Sequence, residues 1–96
     1  MIRLRCTRQA LGDLDDACAW TASHWPSGAA EALAAQLRAA IDGLRAFPER
    51  GRPGWLAGTH ELVIPGTPFV VPYRLAGREV QVLAILHGAR AWPPRT

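Results

Sequence analysis

The chain has 96 residues, 49% of them apolar and 20% charged, which predicts one globular domain over residues 1–96 with a single core. This size excludes a large enzyme with an enclosed cofactor cleft, and no cofactor is expected. The net charge is +3, and all of the excess lies in residues 49–96, where six arginines face three acids, so the second half is expected to have an anionic partner.

Neither a membrane span nor a secretion signal is expected. The longest run without Asp, Glu, Arg or His, residues 62–73, is shorter than the roughly 20 apolar residues that cross a bilayer. Residues 1–5 lead into polar positions without the apolar stretch of a signal peptide, so the protein is expected in the cytoplasm. Cys6 and Cys18 have no second pair and no nearby histidine, which indicates two buried free thiols and no metal site.

The first predicted element is a strand over residues 2–6, where apolar and basic residues alternate. Thr7 has the hydroxyl needed to cap a helix over about residues 8–25, which Pro26 ends. The positive N-terminal end of this helix favours its carboxylates, which are Asp13, Asp15 and Asp16. Its expected buried face has helical spacing and consists of Leu11, Leu14, Cys18 and Trp25.

A second helix is predicted between Ser27, a candidate cap, and Pro48. Its apolar stripe is the most regular in the sequence and consists of Ala30, Leu33, Ala34, Leu37, Ile41, Leu44 and Phe47. The connection between the two helices is short, which predicts an antiparallel hairpin.

The remainder is predicted as a loop over residues 49–58 followed by three strands. The strands are rich in β-branched and aromatic residues and cover residues 59–64, 69–75 and 79–87. Turns are expected at residues 65–68 and at Ala76-Gly77. The fold class is therefore α+β, with a strand, an antiparallel helical hairpin and a three-stranded antiparallel meander.

The turns also predict which residues face each other. Closing the first turn sets His60 opposite Tyr73, and closing the second sets Arg74 opposite Glu79, as in a surface ion pair. Pro72 has no N–H to donate, so the middle strand is expected to carry a bulge or lose a hydrogen bond there.

His87 and Arg90 follow the last strand, where side chains can be held rigidly yet reach solvent. They indicate a site for an anion or an RNA phosphate. The alternative for His87 is a half-buried imidazole bonded to a loop carbonyl. Arg50 and Arg52 resemble a mobile basic clamp, although solubility alone also places charge in such a loop. Cleavage of RNA by His87, Arg90 and Arg52 requires a geometry that the sequence does not give.

Several linked segments resemble the RelE/ParE toxin family of bacterial type II toxin–antitoxin systems. In this sequence they are Gly51–Gly54, Gly58–Val63, Pro68–Arg74, Val82–Arg90 and Trp92-Pro93. The resemblance covers almost the whole chain and implies the same order of elements as derived above. It also implies a small acidic antitoxin as partner, in a hetero-oligomer.

The family contains ribonucleases that cleave mRNA in the ribosomal A site and toxins that poison DNA gyrase. Ribonuclease members commonly have an arginine where this chain has Val70, and often a catalytic tyrosine after the last strand, whereas the only tyrosine here is Tyr73. The chain therefore resembles the ParE branch, which implies gyrase inhibition and growth arrest. The alternatives are a ribosome-dependent mRNA interferase acting through His87, Arg90 and Arg52, and a module that has lost toxicity and survives as a binding partner or plasmid-maintenance remnant.

Two sets of contact residues follow from this resemblance. The expected target-contact residues are Arg50, Arg52, Arg74, His87, Arg90 and Trp92. The expected antitoxin-contact residues are Leu33, Leu37 and Trp55.

Overall fold

The protein forms one sheet with two helices on one face, in a computed structural model that describes residues 1–88. The helices are α1 (Arg8–His24) and α2 (Ala29–Asp42), the latter followed by a 3-10 turn at Gly43–Arg45. The strands are β1 (Arg3–Cys6), β2 (Arg52–Pro53), β3 (Thr59–Val63), β4 (Phe69–Ala76), β5 (Glu79–Val82) and β6 (Leu86–His87). The predicted α+β order of strand, helical hairpin and antiparallel meander is confirmed.

The sheet order is β1-β5-β4-β3-β2, with β6 paired to β4. β1 runs parallel to β5, with Arg3 beside Glu79 and Cys6 beside Val82, whereas the other pairs are antiparallel. Sequence analysis did not assign a partner to the first strand. The parallel pairing makes β1 an edge strand and brings the start of the chain to the last hairpin.

Helix α1 begins as predicted, since the Thr7 hydroxyl accepts a hydrogen bond from the Ala10 N–H at 3.1 Å. The expected buried face was wrong for Leu11 and Trp25, which are 54% and 56% exposed, whereas Leu14 packs against the core and Cys18 is half-buried. The buried residues of the helix are smaller, namely Ala10, Ala17 and Thr21. Small side chains let the helix approach its neighbours closely, and this rotates the larger apolar residues towards solvent.

Helix α2 buries Leu33, Leu37 and Ile41, as its stripe predicts. Ser27 does not cap it; the cap position is Gly28, whose φ of 93° lies in the left-handed region open to glycine. The burial of Phe47 was also predicted wrongly, since this residue is exposed. The 3-10 turn at Gly43–Arg45 has three residues per turn, which breaks the helical spacing before Phe47 is reached.

The segment predicted as a loop over residues 49–58 contains the short strand β2, in which Arg52 pairs with Glu61 of β3. The predicted pairing of His60 with Tyr73 is confirmed. The second turn was placed wrongly. β4 extends to Ala76, which faces Glu79, so Arg74 faces Gln81 instead of Glu79.

The last predicted strand, residues 79–87, is interrupted into β5 and β6. Between the pairs Tyr73–Val82 and Val70–Leu86, β4 contributes two residues and the other side contributes three. An irregularity is present at Pro72 as expected, but the extra residue lies in the last strand and not in the middle strand, so the predicted place of the bulge was wrong. Pro72 still accepts a hydrogen bond through its carbonyl, from the Leu83 N–H at 2.9 Å.

The core lies between the helices and the sheet. Its largest fully buried residues include Leu37, Leu44, Ile64, Val71 and Tyr73. Cys6 and Cys18 are free thiols but only half-buried, so the prediction of full burial was wrong. Within residues 1–88, no helix is long and apolar enough to cross a membrane.

Candidate interaction surfaces

His87 lies on β6 in a cluster of aromatic rings. Its imidazole contacts the rings of Trp20 and Phe69 edge-on, with centroids 5.1 and 5.7 Å apart. The ring of His24 stacks on the other side of the cluster against Trp20, at 4.5 Å. His87 is exposed, so the structure places it at the surface as a packed imidazole and not in the half-buried position that we considered.

Arg52 is held by an ion pair. Its Nε and Nη2 donate to Glu61 Oε1 at 3.2 and 3.1 Å, across the β2–β3 ladder. Arg52 therefore lies on a short strand and not in the predicted loop. Arg50 has a different environment, with its guanidinium 5.6 Å from the centre of the Phe47 ring. The two arginines belong to the same segment but have separate partners.

Tyr73 fixes the segment that carries these arginines. Its hydroxyl donates to the Pro48 carbonyl and accepts from the Gly51 N–H, both at 2.8 Å. Burial raises the pKa of the Tyr73 phenol; the Gly51 hydrogen bond lowers it in part, and the Glu49 carboxylate raises it further. With both hydrogen bonds used inside the fold, Tyr73 has a structural role.

Arg74 is exposed on β4, and its Nε donates to Gln81 Oε1 at 2.9 Å. Gln81 in turn donates from Nε2 to Glu79 Oε1 at 2.7 Å. The expected Arg74–Glu79 ion pair was therefore wrong, because the amide of Gln81 lies between the two charges. A neutral amide does not cancel the positive charge of the guanidinium.

Of the residues considered for RNA cleavage, the structure describes Arg52 and His87 and does not bring these two together. Arg52 and His87 are separated by three strand spacings and about three residues along β4, which places their Cα atoms roughly 17 Å apart. Arg90 and Trp92 lie outside the described residues. Among residues 1–88, no group of three or more His, Cys, Asp or Glu is placed to hold a metal ion.

The antitoxin-contact predictions have mixed outcomes. Leu33 and Leu37 are 5% and 0% exposed, so they belong to the core and not to a contact surface. Trp55, at the tip of the β2–β3 hairpin, is exposed.

An apolar groove that the sequence did not predict lies where β1 meets the two helices. Its volume is about 560 Å³, and its lining includes Leu4, Cys6, Ala10, Leu11, Leu14 and Ile41. Burial raises the pKa of the Cys6 thiol in this groove. The residue in the sequence that could have indicated this groove is Leu11, a large apolar residue that is exposed because the smaller residues of α1 face the core.

A smaller pocket, about 220 Å³, lies at the opposite end of the hairpin between Trp20, Trp25 and Phe69. Thr21 lines this pocket, and its hydroxyl is buried with no hydrogen-bond partner among the described residues. The groove, the pocket and the exposed arginines are features of surfaces that bind other macromolecules.

The chain is similar to several known proteins. A family model described as the ParE toxin of the type II toxin–antitoxin system parDE matches residues 4–92. The chain is 37% identical over 91 residues to Y4kP of Sinorhizobium fredii, a protein named as a toxin, covering 95% of this chain and 93% of the relative. It is 33% identical over 90 residues to Toxin RelE2 of Caulobacter vibrioides, covering 94% and 99% of the two chains.

A solved structure titled as the chromosomal ParDE toxin–antitoxin system from P. aeruginosa has a similar fold. The TM-score is 0.82 at 28% sequence identity, with 91% of this chain and 96% of the other chain covered.

Proposed function

Since the chain belongs to the ParE family of type II toxin–antitoxin toxins, we propose that it arrests growth by binding and inhibiting DNA gyrase. The observation that supports this proposal is the wide separation of the candidate cleavage residues Arg52 and His87. Acid–base cleavage requires its groups within hydrogen-bond reach of one phosphate, whereas a binding surface tolerates wide separation. The roughly 17 Å between Arg52 and His87 supports a binder.

The proposed gyrase contact comprises the exposed positions Arg50, Arg52, Arg74 and His87, together with Arg90 and Trp92. A supercoiling assay with purified gyrase and relaxed plasmid tests it. We expect inhibition at near-stoichiometric toxin, and a several-fold weaker effect for Arg74→Gln. Arg45→Gln removes the same charge from a residue paired with Asp42 and is expected to inhibit like the wild type. Absence of inhibition by wild-type toxin in molar excess would contradict the proposal.

We further propose that a cognate antitoxin neutralises the toxin by occupying the apolar groove and the free edge of β1. An amphipathic segment could bury its apolar residues against Leu11 and Leu14 and pair its backbone with the edge strand. Such a segment folds on binding, which lets a short chain cover a large surface. Trp55 stays a proposed additional contact.

The antitoxin site is tested with the product of a small open reading frame next to the gene. In titration calorimetry, Leu11→Asp is expected to weaken binding at least tenfold without unfolding the toxin, because Leu11 is already half-exposed. Val63→Asp, a matched change at an exposed position of β3, is expected to bind like the wild type. Equal affinity for Leu11→Asp would place the antitoxin elsewhere.

One observation favours the alternative of a ribosome-dependent mRNA interferase: a relative at 33% identity is named Toxin RelE2. This alternative predicts discrete cuts in translated messages by primer extension. It also predicts that His87→Ala abolishes toxicity while the fold is retained. Failure of the wild-type chain to arrest growth on induction without antitoxin would instead favour a module without toxicity.

A further inference from the structure

Four arginines lie together at one corner of the sheet, and we call Arg3, Arg5, Arg74 and Arg78 the basic corner. β1 pairs with β5 so that Arg5 lies beside Gln81, and Arg74 lies on the opposite side of the same glutamine. The Arg3 N–H donates to the carbonyl of Arg78, in the β4–β5 turn, at 2.7 Å. All four residues are exposed.

The basic corner contains four arginines and one acid. Its four arginines share the corner with one acid, Glu79, and this gives the same +3 as the whole chain. The Glu79 carboxylate already accepts a hydrogen bond from Gln81. The corner is therefore strongly positive.

Arg3, Arg5 and Arg74 share the face of the sheet that the helices leave open. Residues directly opposite in a ladder point to the same side, and the alternate residues Leu4, Tyr73 and Val80 belong to the core on the helical side. Strand geometry places Arg5 roughly 10 Å from Arg74 and roughly 7 Å from Arg3 at the Cα atoms. Long side chains at these spacings can reach several phosphates of one nucleic-acid backbone.

We propose that the basic corner binds the phosphate backbone of double-stranded DNA. Protein–protein interfaces have an apolar centre, whereas the ladder positions between these arginines are Glu79, Gln81 and Ala76. Interfaces with DNA are polar and strongly positive. Single-stranded recognition uses aromatic stacking, and the described residues of the corner include no aromatic side chain. The surface therefore fits a duplex backbone better than an acidic protein or an unpaired strand.

Fluorescence anisotropy of a labelled 20-base-pair duplex, titrated with toxin at several salt concentrations, tests this inference. Four phosphate contacts predict a slope of log K against log salt of about −3.6, with little dependence on sequence. Arg5→Gln combined with Arg74→Gln is expected to reduce the magnitude of that slope by about 1.8. The control, Arg38→Gln with Arg45→Gln, lowers the net charge equally outside the corner and is expected to keep the wild-type slope.

Three results would overturn the proposal. The first is absence of binding at low salt. The second is an equal reduction of the salt slope in the control variant, which would show that only the net charge matters. The third is displacement of the duplex by polyglutamate, or by a single-stranded oligonucleotide, at a lower charge concentration than unlabelled duplex requires. The anisotropy assay contains no gyrase and no antitoxin. A negative result in it would therefore not contradict the proposed inhibition of gyrase, and a negative supercoiling assay would not contradict the proposed binding of DNA.

Discussion

The carboxylate of Asp13 accepts a hydrogen bond from the backbone N–H of Ile85 at 3.0 Å, between residues 72 positions apart in the chain. Ile85 lies in the bulge opposite Pro72, where the antiparallel ladder is interrupted. Thr7 completes the arrangement, since its hydroxyl donates to the Leu83 carbonyl at 2.9 Å. The start of α1 therefore provides hydrogen-bond partners for the Ile85 N–H and the Leu83 carbonyl, which have no partner in the interrupted ladder. These hydrogen bonds fix the start of β6.

Asp13→Ala is expected to destabilise the protein by about 1.5–3 kcal/mol, because a partly buried N–H loses a charged acceptor. Urea denaturation measures the change. Asp13→Asn keeps an acceptor oxygen and is expected to cost less. Asp15→Ala, at an exposed position of the same helix, is the control and is expected to change stability by less than about 0.5 kcal/mol. Equal effects at both positions would show that the Ile85 hydrogen bond is not the cause.

Tyr73→Phe is expected to cost about 1–3 kcal/mol, because the Pro48 carbonyl and the Gly51 N–H both lose their partner. Hydrogen exchange should show faster exchange of the Gly51 amide, with little change in the exchange of Val80 or Val82. A variant as stable as the wild type would mean that water replaces the hydroxyl at no cost.

The raised pKa of Tyr73 predicts a loss of stability in alkali. The unfolded phenol ionises near its ordinary pKa of 10.0, whereas the folded phenol ionises at higher pH. Above about pH 10 the unfolded state therefore binds fewer protons than the folded state. The contribution of the Tyr73 phenol to the free energy of unfolding is therefore constant below about pH 10. It falls as the pH rises from there through the pKa of the folded phenol. Tyr73→Phe should remove this fall, as followed by urea titrations between pH 8 and about 11.

Two glycines should respond oppositely to alanine. A Cβ on Gly51 would lie 2.8 Å from Tyr73 Cε1 and 3.0 Å from the Glu61 carbonyl, so Gly51→Ala is expected to destabilise the fold by at least about 2 kcal/mol. A Cβ on Gly12, within α1, would meet nothing within 4 Å. Gly12→Ala is therefore expected to stabilise by about 0.5–1 kcal/mol, since alanine loses less entropy in a helix. Thermal melts would show the opposite shifts, and a loss of stability in both variants would refute the contrast.

Thr21→Val is expected to stabilise the protein by about 1 kcal/mol, because a methyl group of similar size replaces a buried hydroxyl that has no partner among residues 1–88. For a domain of this size, that gain corresponds to a rise in melting temperature of about 4–8 °C. Thr21→Ala creates a void and should destabilise instead. A fall in melting temperature for Thr21→Val would indicate that the hydroxyl has a partner in solution.

Local patterns were enough to predict the order of the elements, the Thr7 cap, the pairing of His60 with Tyr73 and an irregular ladder at Pro72, although not the strand that carries the bulge. Each depends on residues close in sequence: alternation, a capping hydroxyl, a turn, a missing N–H. The buried face of α1 was not predictable in this way, since close packing through Ala10 and Ala17 overrides the preference for burying larger residues.

Long-range pairing explains the remaining differences. Arg52 was assigned to a loop because nothing local indicates that two residues will pair with Glu61. Arg3 and Arg5 were not considered as site residues, because only the parallel alignment of β1 with β5 brings them near Arg74. The groove at Leu11 depends on the same alignment.

The position of β1 also bears on when a ribosome can produce an active molecule. The first strand has no neighbour in the sheet until Glu79–Val82 has been synthesised, so a nascent chain cannot complete this fold from its amino end onwards. The groove beside Leu4 and the cluster of Arg3 and Arg5 with Arg74 form only at that late stage. A polypeptide cut short before β5 would therefore lack both surfaces, so partners that use them could bind only after nearly complete translation.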